Sequence, residues 1–244
     1  MPAYLNIVFP VHNEEQRLRA GIEGTIAFLD DHGIEDYVLT IVDNDSTDET
    51  CHIAAELSGE YSQVRYLPIP QKGVGVAFRT AVQENSSPII GYMDIDLATD
   101  LRHILEVLSL FQNDENLMFV NGSRWANGYG STGRGLKRRI TSMGLTAVLK
   151  LALGMKASDA ICGFKFFRKK AAEELIELVG AEEDGWFYII EMLLCAESTG
   201  MNMCELPVSW HDDGHSSVDT VAVTRSYLSQ IKEYRKKMND QARK

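Results

Sequence analysis

The sequence has little cysteine and no cysteine pattern. Cys51, Cys162, Cys195 and Cys204 form neither a CxxC pair nor a zinc-ligand spacing. A disulfide-stapled secreted domain and a zinc module are therefore not indicated, and the four read as reduced, packed thiols of a cytosolic protein. No basic region followed by an apolar run opens the chain, so no signal peptide is visible. No stretch approaches the roughly 18 apolar residues of a membrane-spanning helix. Excess positive charge is missing too: the net charge of −11 argues against nonspecific binding to nucleic acid. Internal repeats and low-complexity segments, which would indicate a solenoid or a disordered chain, are absent.

What remains is an ordinary globular composition. A chain of 244 residues, 45% of them hydrophobic, suits one large α/β domain with or without a short appendage. The charge is unevenly distributed. From Thr220 onward seven Lys and Arg face only Glu233 and Asp240, so the tail carries +5 and the rest of the −11 chain −16.

The stretch Ile89-Ile-Gly-Tyr-Met-Asp-Ile-Asp-Leu97 organises the rest. It reads as a buried strand beginning after Pro88 and ending in two carboxylates, Asp94 and Asp96. Alternation along an extended chain would point both the same way. Ligands of open parallel α/β sheets sit beyond the carboxyl ends of the strands. Two acids there repel unless a cation lies between them, and hard oxygen ligands suit Mg²⁺ or Mn²⁺, whose remaining positions are usually filled by substrate phosphates. The alternative is a surface turn with solvated acids.

Other segments repeat the arrangement. Leu5 to Phe9 reads as a first strand stopped by Pro10, with Glu14 and Glu15 in the first turn of a helix through Leu18, Ile22, Ile26 and Leu29. Tyr37 to Val42 is a second strand followed by Asp43-Asn-Asp-Ser-Thr-Asp48, with Ser46 or Thr47 as the cap of the next helix. A short strand at Val64 to Leu67 precedes Lys72-Gly-Val-Gly75, a helix start able to cradle a phosphate or to serve as a plain turn. Leu117 to Val120 gives a fifth strand before Gly122-Ser-Arg124-Trp125. Strands alternating with helical patterns predict an α/β fold with a mostly parallel, doubly wound sheet.

After Trp125 the pattern changes. Gly128, Gly130, Gly133 and Gly135 make a loop that reads as a lid or a surface excursion. Arg134, Lys137, Arg138 and Arg139 follow, then a largely apolar helix over Ile140 to Met155. That helix reads either as core or as an interfacial element presenting cations to an anionic lipid. Asp159 precedes a strand, and helices are expected over Lys169–Val179 and Trp186–Ser198. Glu191 lies within the second helix, where a carboxylate must be paired or face a cleft. Met203 to Val208 is a last strand, and His211 and His215 beyond it read as a polar loop rather than a metal pair.

In this order the motifs resemble family 2 glycosyltransferases of GT-A fold, in the branch of dolichol-phosphate mannose synthase and polyprenyl-phosphate glycosyltransferases. Phe9-Pro-Val-His-Asn-Glu14, Val42-Asp-Asn-Asp-Ser-Thr-Asp48, Lys72-Gly-Val-Gly-Val-Ala77 and Met93-Asp-Ile-Asp-Leu97 carry the resemblance. So do Gly122-Ser-Arg124, Arg138 with Ser142, Asp159…Cys162-Gly-Phe-Lys165, Gly185-Trp186…Glu191 and Glu205-Leu-Pro-Val-Ser-Trp210. It implies a GT-A domain over residues 1–218 and a basic amphipathic helix over 219–244. It also implies that Pro10, Val11, Asn13, Glu14, Asp43, Asp45, Lys72 and Asp94 meet a nucleoside diphosphate sugar. Asp94 and Asp96 would hold Mg²⁺ or Mn²⁺, and Arg124, Arg138 and Ser142 the phosphate of a polyprenyl acceptor. The resemblance further implies inversion at the transferred hexose.

Two departures stand out. Many members place a Gln ligand where this chain has Ala98, so water or a phosphate oxygen would take that place. The usual acid two residues before Glu191 is Ile189 here. The rival enzyme reading, transfer to a saccharide or small-molecule hydroxyl, requires a base such as Asp159. A third is an inactive nucleotide-sugar-binding partner of a membrane complex. Lacking a membrane span, the chain is expected in the cytoplasm, held to the membrane's inner face by Tyr227, Leu228, Ile231, Tyr234 and Met238 among the tail cations. Pairing with a second copy or with a membrane protein stays open.

Overall fold

The computed structural model describes residues 3–126, 131–132, 136–211 and 220–241. The chain opens with β1 (Leu5–Val11), α1 (Leu18–Asp31), β2 (Tyr37–Asn44), α2 (Thr50–Glu60) and β3 (Val64–Ile69). It continues through α3 (Val74–Gln83), β4 (Ile89–Met93), α4 (Arg102–Asn113) and β5 (Phe119–Ser123). Then come β6 (Ser131–Thr132), α5 (Leu136–Leu153), β7 (Phe164–Arg168), α6 (Lys169–Val179) and α7 (Phe187–Thr199). The last elements are β8 (Met203–Pro207), β9 (Trp210–His211) and α8 (Thr220–Gln241).

Among the described residues seven strands form one sheet in the order β3-β2-β1-β4-β7-β5-β8, and β6 pairs with β9 beside it. β7 runs antiparallel to β4 and β5; the other pairs are parallel. The expected mostly parallel sheet is therefore present. Its strands are apolar on both faces because helices cover both, as parallel sheets require. Val8, Ile90, Phe119 and Phe167 pack under α3, α6 and α7, while Leu5, Ile7, Ile41, Val120 and Phe166 pack under α1, α2 and α4.

The order reverses at β1. The chain moves outward through β2 and β3, then returns to β4 on the other side of β1. Such a switch point opens a crevice at the carboxyl ends of the two strands. His12 to Glu14 and Asp94 to Asp96 leave the sheet there.

Several boundaries differ from expectation. β1 runs through Pro10, because β4 pairs only as far as Val8↔Tyr92 and Pro10 has a single neighbouring strand. β3 likewise passes through Pro68 on the sheet's edge. α1 starts at Leu18, so Glu14 and Glu15 lie in the turn before it. Ser46 and Thr47 do not cap α2, whose N-cap position is Glu49. α8 is packed on the domain: Tyr227 and Ile231 are buried, and the Tyr227 and Tyr234 rings lie 6.1 and 6.3 Å from that of Phe187. Gln230 Nε2 donates to Glu183 Oε2 at 2.8 Å. Among the described residues no helix is long and apolar enough to cross a membrane.

Candidate active site

Two loops at the ends of β1 and β2 are laced together. Asn13 N–H donates to Ser46 Oγ at 3.0 Å, and Thr47 N–H to Asn13 Oδ1 at 2.8 Å. Glu14 N–H donates to Thr50 Oγ1 at 2.7 Å, while its half-buried carboxylate takes two bonds from Arg17. Burial raises the Glu14 pKa; Arg17 opposes that, and Asp96 and Asp48 add to it, so Glu14 shares the field of the acidic turn. Asp43 is buried, accepting Ser46 N–H at 3.1 Å and the Tyr66 hydroxyl at 3.2 Å. Asn13 (φ 58°) and Asp45 (φ 64°) hold left-handed backbone and are exposed at the cleft. That conformation is uncommon outside glycine but tolerated by Asn and Asp, and marks loops over-determined by their surroundings.

Asn44, which sequence reasoning passed over, pins three loops. Its Nδ2 donates to the Val11 carbonyl at 2.6 Å, its Oδ1 accepts Gly73 N–H at 2.8 Å, and His12 Nδ1 lies 3.0 Å from its carbonyl oxygen. In the sequence it is one polar residue among the acids of Asp43-Asn-Asp-Ser-Thr-Asp48, and nothing local sets it apart.

The glycine turn is differently used from the expected phosphate cradle. The N–H groups of Gly75 and Val76, at the start of α3, donate to the Asp184 carbonyl at 2.8 and 3.1 Å. Gly73 (φ 150°) lets that segment approach, since a Cβ there would lie 2.1 Å from the same oxygen. Arg79 Nη2 and Gln71 Nε2 hold the Asp184 carboxylate at 2.7 and 2.6 Å. The helix terminus is already capped by protein; Lys72 remains exposed.

Asp94 and Asp96 lie beyond β4, brought together by a turn rather than by strand alternation. Leu97 N–H donates to the Asp94 carbonyl at 3.3 Å, with Leu97 at φ 51°. Ile95 between them is buried against α1, where a Cβ on Gly21 would stand 2.5 Å from the Ile95 carbonyl oxygen. His211 N–H donates to the Ala98 carbonyl at 2.7 Å, which places β9 on the acidic turn. His211, read from sequence as part of a polar loop, is therefore next to the site.

Arg124 is 5% exposed and paired with fully buried Asp159, Nε to Oδ2 at 2.6 Å and Nη2 to Oδ1 at 2.9 Å. Burial alone would raise the Asp159 pKa, but the Arg124 guanidinium overcomes it and holds the carboxyl below its usual range. Lys165 is buried beside them with Nζ on the Cys162 carbonyl at 2.6 Å. Glu191 is buried in α7, and its charge raises the Tyr234 pKa after burial has done so. The side chains of Arg138 and Ser142, the loop glycines Gly128, Gly130, Gly133 and Gly135, and His215 lie outside the described residues.

The family model for glycosyl transferase family 2 matches residues 6–176, which takes in every one of these loops as far as Lys165. The chain belongs to glycosyl transferase family 2. It is 31% identical over 229 residues to the glycosyltransferase AglD of Haloferax volcanii, covering 93% of this chain and 36% of AglD. A dolichyl-phosphate β-glucosyltransferase of Trichomonas vaginalis is 25% identical over 224 residues, 88% of this chain and 66% of that protein. The chain thus spans about a third of the first relative and just under two thirds of the second. Its GT-A fold is shared with glucosyl-3-phosphoglycerate synthase from Mycobacterium tuberculosis, solved with Mn²⁺, UDP-glucose and phosphoglyceric acid. That match has a TM-score of 0.67 and 18% identity, over 94% of this chain and 78% of the other.

In the candidate site Asp94 and Asp96 are electrostatically crowded. Burial, and then the Asp96 carboxylate, push Asp94 up to about 7, against the pull of Tyr92, Lys165 and Arg124. An unfolded Asp titrates near pH ~4. Between those values the folded chain keeps a proton that the unfolded chain releases, so stability falls as pH rises through the window. Asp94→Asn is neutral throughout. In EDTA at pH 8 it should melt a few degrees above the parent, the size expected of about 1 kcal/mol in a domain this large. Near pH 4 the two should coincide; equal melting at pH 8 would show that neither burial nor Asp96 weighs on the Asp94 carboxylate.

Proposed function

We propose that this domain transfers a hexose, with inversion, from a nucleoside diphosphate sugar to a polyprenyl phosphate. The observation that carries the reading is the acidic turn Asp94 to Asp96 at the β1/β4 switch point, facing the laced loops of Asn13, Glu14, Asp43 and Asp45. Membership of the family, and a relative named for dolichyl phosphate, support the acceptor class.

Asp94 and Asp96 suit Mg²⁺ or Mn²⁺: two oxygen-donor side chains, with burial and then the Asp96 charge raising the Asp94 pKa where no cation offsets them. The chemistry a bound divalent cation supplies there is neutralisation of charge on the departing diphosphate. Pro10, Val11, Asn13, Glu14, Asp43, Asp45 and Lys72 are assigned to the donor. Arg138 and Ser142 are assigned to the acceptor phosphate, with Arg124 adding positive field from its buried pair. A phosphate monoester is already an anion, so it needs orientation at the anomeric carbon rather than deprotonation. That suits this site better than a hydroxyl acceptor, because the candidate base Asp159 is enclosed and held ionised by Arg124.

The lipid side is assigned to exposed faces of α5 and α8. Met143, Lys150 and Leu151 are exposed on the first, and Leu228, Lys232, Arg235 and Lys236 on the second. Each cation near an anionic surface contributes on the order of 1 kcal/mol. Tyr227 and Ile231 pack inward, so binding would rest on the outer face of α8 alone.

The decisive assay offers UDP- and GDP-hexoses with Mn²⁺ and polyprenyl phosphate in anionic vesicles. The expected product is a polyprenyl phosphohexose. Arg138→Ala should impair acceptor use far more than donor binding, and membrane association should weaken with salt. Transfer to a hydroxyl acceptor with none to the lipid phosphate would overturn the acceptor assignment.

A further inference from the structure

The acidic turn does not hold Asp94 in place by itself. β4 and β7 pair with Tyr92 opposite Lys165 and Met93 opposite Phe164, and Asp94 N–H donates to the Gly163 carbonyl at 3.2 Å. Gly163 therefore stands opposite Asp94. Paired residues on one face of an antiparallel ladder have Cβ atoms about 5 Å apart, close enough for their side chains to compete for space. Here the Asp94 carboxylate takes all of it. A Cβ on Gly163 would lie 2.0 Å from Asp94 Oδ2 and 2.2 Å from its Cγ.

One row further into the sheet, the Tyr92 hydroxyl donates to Asp94 Oδ1 at 3.0 Å, and Tyr92 is itself buried. Beside Tyr92 on β7 sits the buried ammonium of Lys165, an attractive charge behind the carboxylate. No described residue donates a hydrogen bond to Asp94 Oδ2. These contacts oppose a definite force. Asp94 and Asp96 repel, and an unanchored carboxylate on a turn would rotate away from its neighbour.

We propose that Gly163 and Tyr92 are positioning residues for the transfer, seating Asp94 in one rotamer with Oδ1 engaged and Oδ2 left for a divalent cation. The inference rests on the metal role assigned to Asp94 above. Gly163 contributes by having no side chain, which leaves the floor of the seat open. Tyr92 fixes the carboxylate's rotation about its own axis. Both act through Asp94, as outer-shell partners of a metal ligand do.

The test titrates Mn²⁺ into metal-free protein with UDP, or with GDP where UDP does not bind, and reads free Mn²⁺ by its spin-resonance signal. Asp94→Ala sets the floor. Tyr92→Phe keeps the ring and removes the donor; Mn²⁺ affinity is expected to fall roughly 10- to 100-fold. Nucleotide affinity without metal should be unchanged, and activity should recover at high Mn²⁺. Gly163→Ala should lose at least as much affinity, because its methyl group occupies the seat. Should Gly163→Ala not fold, Tyr92→Phe decides alone. A folded Tyr92→Phe with the parent's Mn²⁺ affinity, beside an Asp94→Ala that has lost it, overturns the positioning roles and leaves the metal assignment standing. Equal Mn²⁺ binding by the parent and Asp94→Ala overturns both.

Discussion

Asp96→Ala is expected to abolish transfer and leave the fold unchanged. Asp96 is exposed on the turn after β4, and its Oδ1 accepts the Ala98 N–H at 3.0 Å. Removing an exposed carboxylate opens no cavity, so stability should move by no more than about 0.5 kcal/mol. It should move upward in metal-free protein, because the charge that crowds Asp94 is gone. Catalysis has no such tolerance. Charge on the departing diphosphate must be met at the moment it forms, and losing a preorganised stabilising group of this kind costs on the order of 10²–10³ in rate. The measurement pairs a transfer assay with a thermal melt, with and without EDTA. Activity retained by the variant, or by the parent in EDTA, would remove the metal from the mechanism.

The parallel half of the sheet was legible because its signal is local. Leu5 to Phe9, Tyr37 to Val42 and Ile89 to Met93 are short apolar runs between helical patterns, and covered parallel strands read that way. The direction of β7 was not legible. Phe164-Lys-Phe-Phe-Arg168 has the same composition whichever way it runs, and direction is set by where the chain re-enters the sheet. α8 shows the same limit. Tyr227, Ile231 and Tyr234 at helical spacing suit a bilayer or a protein face equally well, and Phe187, some 40 residues earlier in the chain, decides between them.

At the site, acids and glycines were visible as types, but their partners were not. Lys72-Gly-Val-Gly75 has the composition of an anion cradle, yet the Asp184 carbonyl already occupies its amides. Asn44 acts through Val11 and Gly73, and Gly163 through Asp94, all distant in sequence. Arg124 was read as holding the acceptor phosphate and Asp159 as the base of the rival reading, and the fold pairs them with one another. A charged residue in a motif is assigned from sequence to a ligand by default. Only the packed structure shows whether another side chain has already taken it.

That pairing makes the loss of Arg124 costly to stability. Its guanidinium and the Asp159 carboxylate are both buried, joined by two side-chain bonds and by Arg124 N–H to Oδ2 at 3.2 Å. The guanidinium also lies 5.6 Å from the Trp210 ring centroid, linking β5 to the segment that reaches the acidic turn. Arg124→Ala leaves Asp159 buried without its partner, at a cost of about 3–5 kcal/mol. In a domain this large that is roughly 10 °C in melting temperature. Arg124→Lys keeps the charge but not the two-pronged geometry, so an intermediate loss is expected. The double variant Arg124→Met with Asp159→Leu removes both charges and should be more stable than Arg124→Ala, with strong coupling in a denaturant-unfolding double-mutant cycle. A contrary pattern would be equally informative. If Arg124→Lys melts with the parent while its KM for polyprenyl phosphate rises sharply, the guanidinium holds the acceptor directly. The ion pair would then describe the resting site, and the acceptor phosphate would replace Asp159 as its partner during turnover.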